Sequence, residues 1–371
     1  MDNSSTTKPS EASIKKAKEM MAYIYGNPSS LHRLGFEAKK ELDAARKSIS
    51  DMLSTSADEI YFTPGGTTAN MTAILASARA RKRDGNKVIC SALEHPSVMK
   101  NFELLKDFGY DLLIIKPDSQ GKIDLDKLYN AVDDKTILVS CMAVNNEIGS
   151  IQPIDKIKKL IKDKKSNAYF HCDAVQAFCK IDIKPKKLGI DMMSISAHKI
   201  HGIKGAGALY LDNKIHLSPV ICGGGQEKGL VSGTEAMPAI AAFGAAVKDV
   251  GNLDDNFEHV SMLRLHLLEG LKNLEYVSIN SLDDAIPYIV NISVRGVPSQ
   301  VMLNALSADE IFVSAGSACS KGHRSEVLKA MNLSSERIDS AIRISFSKDN
   351  TIEDIDALLK SIDKTARRVR R

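Results

Sequence analysis

The 371-residue chain predicts an α/β protein: a large domain on a mostly parallel seven-stranded sheet, followed by a smaller α+β domain. Three observations carry that expectation. Apolar runs at 60–62, 88–90, 112–115, 136–141, 168–171, 192–195 and 206–211 read as strands. Between most of them lie segments of helical period, such as 69–83 and 154–162, and this alternation produces a parallel sheet covered on both faces. After Pro238 the pattern changes. A long helical stretch to about Lys272, the expected hinge, leads to strands at 276–279 and 289–294, a helix at 299–306, strands at 311–313 and 342–346, and a last helix from near Thr351. The expected division is a large domain over 12–250 and a small one from 1–11 and 251–371.

Composition narrows the function classes. A chain 43% hydrophobic and 26% charged is an ordinary globular protein. Its formal charge of +4 gives no reason to expect nucleic acid. No apolar run approaches the ~20 residues of a membrane span. Met1-Asp2-Asn3-Ser4-Ser5 lacks the basic and apolar segments of a secretory signal. The six cysteines are dispersed with no CxxC pair, so reduced thiols, a cytoplasmic location and no metal site are expected. Lys364, Arg367, Arg368, Arg370 and Arg371 close the last helix, as a solvated, dipole-complementing end or a patch for an acidic partner.

The chemistry is concentrated in two segments, His171-Cys172-Asp173-Ala174-Val175-Gln176 and Ser194-Ile195-Ser196-Ala197-His198-Lys199, whose aspartate and lysine lie 26 positions apart. Each follows an apolar run, so neighbouring strands would deliver a carboxylate and an amine to one pocket. Pyridoxal phosphate (PLP) chemistry needs that pair: a lysine for the cofactor aldehyde, and an aspartate to keep the pyridine nitrogen protonated. Ser196 and His198 suit a phosphate.

Other segments fit the same pocket, each with a plainer alternative. Phe62-Thr63-Pro64-Gly65-Gly66-Thr67-Thr68 is a strand, a glycine turn and a helix start, either an anion cradle or simply a capped turn. His95 follows the strand ending at Cys90 and would stack on a ring and move protons, or only cap a helix. Asn146, in Asn145-Asn146-Glu147-Ile148-Gly149, is an amide at a strand end or part of a turn. Cys319, in Ser317-Ala318-Cys319-Ser320-Lys321-Gly322, has small neighbours and nearby positive charge, which favour a reactive thiolate. Arg343 interrupts an apolar strand. Facing inward it needs an anionic partner, which a bidentate ligand carboxylate fits; the plainer alternatives are an outward-facing position or a structural ion pair.

Taken together, these segments resemble the cysteine desulfurases, the NifS/IscS-type group of class V aminotransferases within the fold-type I PLP-dependent transferases. The resemblance runs nearly end to end. It includes Asp2-Asn3-Ser4-Ser5-Thr6-Thr7, Gly26-Asn27-Pro28-Ser29-Ser30-Leu31-His32, Glu94-His95, the Asp173 and Lys199 segments, Gly223-Gly224-Gly225-Gln226-Glu227, Ser232-Gly233-Thr234 and the cysteine loop. It implies Lys199 as Schiff-base lysine, Asp173 as pyridinium partner and His95 over the ring. Asn146 and Gln176 would contact the ring oxygen, and Gly66, Thr67, Ser196 and His198 the phosphate, with Thr234 supplied by the partner of a homodimer. Arg343, Asn146 and Asn27 would bind substrate, and Cys319 would take the sulfur. Departures are Val231 where arginine is usual, Ala236 for asparagine, Thr68 for glutamate, and Ala197 and Cys179 where glycine is common.

The expected activity is therefore removal of sulfur from L-cysteine, leaving L-alanine and a persulfide. The sulfur would pass to an acceptor such as an iron–sulfur scaffold or a tRNA-thiolation enzyme. Alternatives are a related PLP lyase acting on selenocysteine or cysteine sulfinate, or a non-catalytic paralogue.

Overall fold

The computed structural model describes residues 1–315 and 324–370. Cys319 and its neighbours at 316–323 lie outside them. Eleven strands form two sheets among the described residues. The larger holds β1 (Ile60–Thr63), β2 (Lys87–Ser91), β3 (Asp111–Ile115), β4 (Thr136–Ser140), β5 (Tyr169–Asp173), β6 (Met192–Ser196) and β7 (Gly207–Leu211), in the order β1-β7-β6-β5-β4-β2-β3. All seven expected strands are present. Pairing is parallel from β3 to β6, while β7 runs antiparallel to both β6 and β1. Because β7 reverses direction twice, β1 ends at the same edge as β2, β4, β5 and β6.

Helices α1 (Glu11–Ala22), α2 (Arg33–Leu53), α3 (Gly66–Ala80), α4 (Pro96–Asp107), α5 (Leu125–Ala131), α6 (Ile154–Asp163), α7 (Pro185–Leu188) and α8 (Met237–Asp249) accompany this sheet. The residues of β4, β6 and β7 are buried throughout, which explains why their sequences are apolar at consecutive positions. In α6 the buried residues Ile154, Ile157, Leu160 and Ile161 recur at helical spacing, and its lysines line the other side. Both α1 and α2 pack on α8.

Next come α9 (Leu253–Lys272), β8 (Val277–Ile279), β9 (Ile289–Val294), α10 (Ser299–Ala308), β10 (Ser314–Ala315), α11 (Glu326–Ala330), α12 (Ser335–Asp339), β11 (Ala341–Ser345) and α13 (Ile352–Val369). The second sheet has the order β10-β11-β9-β8 and is antiparallel throughout. Helix α13 starts at a capping box of Thr351 and Asp354 and packs on α9 and α10. The N-terminal residues cross between the sheets: Asp2 bridges Ser345, and Thr7 N–H donates to the carbonyl of His198.

Two expectations need correction. The helical stretch after Pro238 is two helices, because Gly251 adopts φ +77° and Asn252 caps a new helix at Asp254 N–H. The strand expected at 311–313 is absent; the pairing lies at Ser314–Ala315 against β11. Apolar side chains at 311 and 313 pack on the core without a ladder partner.

Candidate active site

The strand ends define the site. β5 finishes at Asp173 and β6 at Ser196, with Asp173 opposite Ser194 in parallel register. A tight turn, Ala197–Lys199, follows β6 at once, so Lys199 and Asp173 reach the same edge of the sheet. Lys199 Nζ donates to the carbonyls of Ser4 (2.5 Å) and Ser5 (2.7 Å) in the crossing N-terminal segment. At the end of β1, α3 begins after Gly65 with no side-chain cap, leaving its first amides open to an anion. A Cβ on Gly66 would stand 3.0 Å from Val175 Cγ2 and 3.4 Å from Ser196 Cβ. The glycine is thus what lets the β1, β5 and β6 loops converge.

Asp173 is buried and held by two donors: Val175 N–H on Oδ1 (3.0 Å) and the Asn70 amide on Oδ2 (2.8 Å). The same Asn70 nitrogen donates to Ser97 Oγ at 2.9 Å, and Ser97 Oγ lies 2.8 Å from His95 Nδ1. Ser97 N–H also donates to Nδ1 at 3.1 Å, so the neutral His95 ring carries its proton on Nε2. His95 caps α4 and belongs to the cluster as well. Burial lowers its pKa, Asp173 opposes that, and the Lys199 cation adds to it. Glu94 beside it accepts from Met142 N–H at 2.7 Å; burial, then Asp173, push its pKa well above the usual carboxylate range.

Arg343 faces inward on β11 and is 2% exposed. Its guanidinium donates to Asp2 Oδ1 (2.9 Å), Ser5 Oγ (2.6 Å) and the Asn146 carbonyl (3.0 Å), while Nε is buried without a partner among the described residues. The protein itself thus supplies a carboxylate, as one of the two alternatives anticipated. Glu147 Oε2 accepts from the Ser325 hydroxyl; burial raises its pKa to about 7, against the pull of Ser325 and Arg343. Of the paired asparagines, Asn145 braces the turn through Leu93 O and the amides of Glu147 and Ile148.

Lys199, Asp173, His95, Gly66, Ser196, Gln176 and Arg343 are therefore brought to one edge between the two sheets. Thr67 sits exposed in the first turn of α3, and His198 Nδ1 lies 3.2 Å from Thr6 Oγ1, with burial and Lys199 bringing its pKa to about 4. Asn27 and Thr234 are exposed. Asn27 Oδ1 takes only the local donors of Ser29. Sequence reasoning missed Asn70, Ser97, Asp2 and Ser5. Asn70 lies one helical turn beyond Gly66, a spacing that would have placed it on the same face. Val231 is buried in an apolar cluster, in a bridge to Ile221. Cys179 has φ +58°, the left-handed region that glycine occupies readily.

A PLP group fits these residues: an uncapped helix start for its phosphate, a buried carboxylate for its ring nitrogen, and an amine at the neighbouring strand end for its aldehyde. The aminotransferase class-V family model matches residues 1–358. A NifS/IcsS protein homolog of Lactobacillus delbrueckii subsp. bulgaricus is 38% identical over 370 residues, covering 98% of this chain and 96% of the relative. Cysteine desulfurase IscS of Clostridium botulinum is 37% identical, covering 98% of this chain and 93% of its own. A solved NifS-like protein superposes with a TM-score of 0.93 at 33% identity, covering 98% of this chain and 97% of its own. The chain belongs to the class-V aminotransferase family of fold-type I PLP enzymes, in its NifS/IscS-type cysteine desulfurase group.

Proposed function

We propose that the protein removes sulfur from L-cysteine, releases L-alanine and carries the sulfur as a persulfide on Cys319 to an acceptor protein. The observation that carries this reading is the delivery of Asp173 and Lys199 to one edge by adjacent parallel strands, under an uncapped helix start at Gly66. Bound there, PLP would supply an aldehyde for Lys199 and a ring that accepts electrons from a substrate carbanion. Gly66, Thr67, Ser196 and His198 would hold its phosphate, Asp173 its ring nitrogen, and Gln176 and Asn146 its ring oxygen.

The remaining work falls to the chain's own groups. Arg343, with its unpaired Nε, takes the substrate carboxylate together with Asn146 and Asn27. Lys199 Nζ moves the substrate Cα proton. His95 is kept neutral by burial and holds a donor proton at Nε2. The Cys319 thiolate attacks the substrate sulfur; a new S–S bond forms, the Cβ–S pair stays with carbon, that carbon takes up one proton, and Cα regains the proton it lost, so that alanine leaves. The exchange is redox-neutral overall. Thr234 is assigned to the phosphate of a second copy's site. Exposed Met21, Tyr23, Tyr25, Leu31 and Phe36 at the α1–α2 junction support a homodimer.

The test is alanine and sulfide release from L-cysteine by PLP-loaded protein under reductant, with Cys319→Ala and Lys199→Ala alongside. Equal amounts from the parent and none from either variant support the assignment. Undiminished sulfide from Cys319→Ala would overturn the role of that thiol. A visible cofactor band unchanged in Lys199→Ala would overturn the site.

A further inference from the structure

Lys180 has no part in the chemistry above, yet it lies against it. It follows β5 by seven residues and is 6% exposed. Its Nζ donates to Gln176 Oε1 at 2.8 Å and sits 5.7 Å from the Tyr288 ring centroid. The charged and titratable groups facing it are Lys199 from the turn after β6, Arg343 from β11, its neighbour Cys179, and Tyr288 ahead of β9. His201 and Lys348 share the small cleft it lines. Cys179 and the face of the Tyr288 ring favour its charge, but burial, then Lys199 and Arg343, outweigh them and bring its pKa down to about 7. A buried amine among cations is unfavourable, so packing alone does not account for it.

Its geometry supplies the account. The Gln176 amide could present either end to the site, and a lysine ammonium only donates. Lys180 therefore holds Oε1, which turns Nε2 toward the Ser4 carbonyl at 3.0 Å. That carbonyl also accepts from Lys199 Nζ. An unbroken chain of hydrogen bonds thus joins Lys180, Gln176, Ser4 and Lys199.

We propose that Lys180 is a positioning residue for Lys199: its amine fixes the Gln176 amide against the carbonyl on which Lys199 docks, and its charge bears on the Lys199 amine. The inference rests on reading Lys199 as the PLP lysine. Lys180→Met, Lys180→Arg and Gln176→Leu are compared with the parent by PLP titration and by the pH dependence of the visible cofactor band. Lys180→Met should bind PLP about tenfold more weakly, the worth of one hydrogen bond. Its band midpoint should move to higher pH, because a proton near Lys199 no longer meets a like charge. Lys180→Arg keeps donor and charge and restores both; Gln176→Leu weakens binding without raising the midpoint.

Stability separates this role from a structural one. In the fold Lys180 binds its proton less readily than in the unfolded chain, so the parent gains stability as pH rises from about 7 to 10.5. Lys180→Met should melt at or above the parent at neutral pH, its advantage shrinking across that window. A Lys180→Met protein that unfolds, or that keeps the parent's affinity and midpoint, overturns the inference. A parent band that persists in Lys199→Ala instead overturns the reading of the site beneath it.

Discussion

The segment from Cys222 to Thr234 is anchored by a buried ion pair, while its other pair, Lys228 with Asp58, is exposed; cutting the buried one should have a large, measurable effect. Glu227 receives Arg46 Nη2 on Oε1 at 2.8 Å, and Arg46 Nη1 (2.7 Å) and Phe62 N–H (2.8 Å) on Oε2. The side chains are 15% and 4% exposed, so solvent screens the pair weakly. Arg46 also lies 4.8 Å from the Phe62 ring and donates to the Ile60 carbonyl, which ties the anchor to β1. Removing one partner of a buried pair costs about 3–5 kcal/mol, since the other is left charged and unpaired. For a chain of this length the unfolding entropy is about 0.8 kcal/mol/K. Glu227→Leu should thus lower the melting temperature by about 4–6 °C. Arg46→Met should do much the same, and the double variant should lose about 2–3 kcal/mol less than the sum. Thermal and urea unfolding followed by circular dichroism read all three. A Glu227→Leu melt within a degree of the parent, or strict additivity, would refute the reasoning. Thr234 lies seven residues beyond Glu227, so Glu227→Leu should also weaken PLP binding.

Three further outcomes follow from the site. Glu147 holds its proton to about pH 7 in the fold against an ordinary 4.5, so the parent loses stability as pH rises through that window. Glu147→Gln should remove this slope, gaining about 3 kcal/mol on the parent between pH 4.5 and 7 in urea unfolding; a pH-independent difference would count against it. His95 has a pKa below the ordinary 6.5, so the acid limb of kcat/KM that it governs should lie below that pH and vanish in His95→Asn. Asn70→Leu leaves Asp173 Oδ2 and Ser97 Oγ each without a donor in the fold; it should weaken PLP binding at least tenfold. Unchanged affinity by absorbance titration would show that Asp173 needs no such support.

Much of this protein was legible before any coordinates. Seven apolar runs became the seven strands; in β4, β6 and β7 a sheet covered on both faces demands consecutive apolar residues, and that demand is local. Asp173 and Lys199 could be paired in advance because each ends such a run, and strand ends of a parallel sheet share an edge. Local pattern failed where it was weak. Gly251 and Asn252 split one helical stretch into two, and the apolar residues at 311 and 313 found packing without a strand partner. Cys319 could be singled out only by the small and basic residues around it. The tertiary structure alone decided the rest, since those contacts join residues far apart in the chain. Asp2 meets Arg343 across 341 positions, Asn70 reaches Asp173 across 103, and Ser4 meets Lys199 across 195. No periodicity or spacing encodes such pairs. They arise when the N-terminal segment crosses from one sheet to the other, bringing a carboxylate to the buried Arg343 and two carbonyls to the half-buried Lys199.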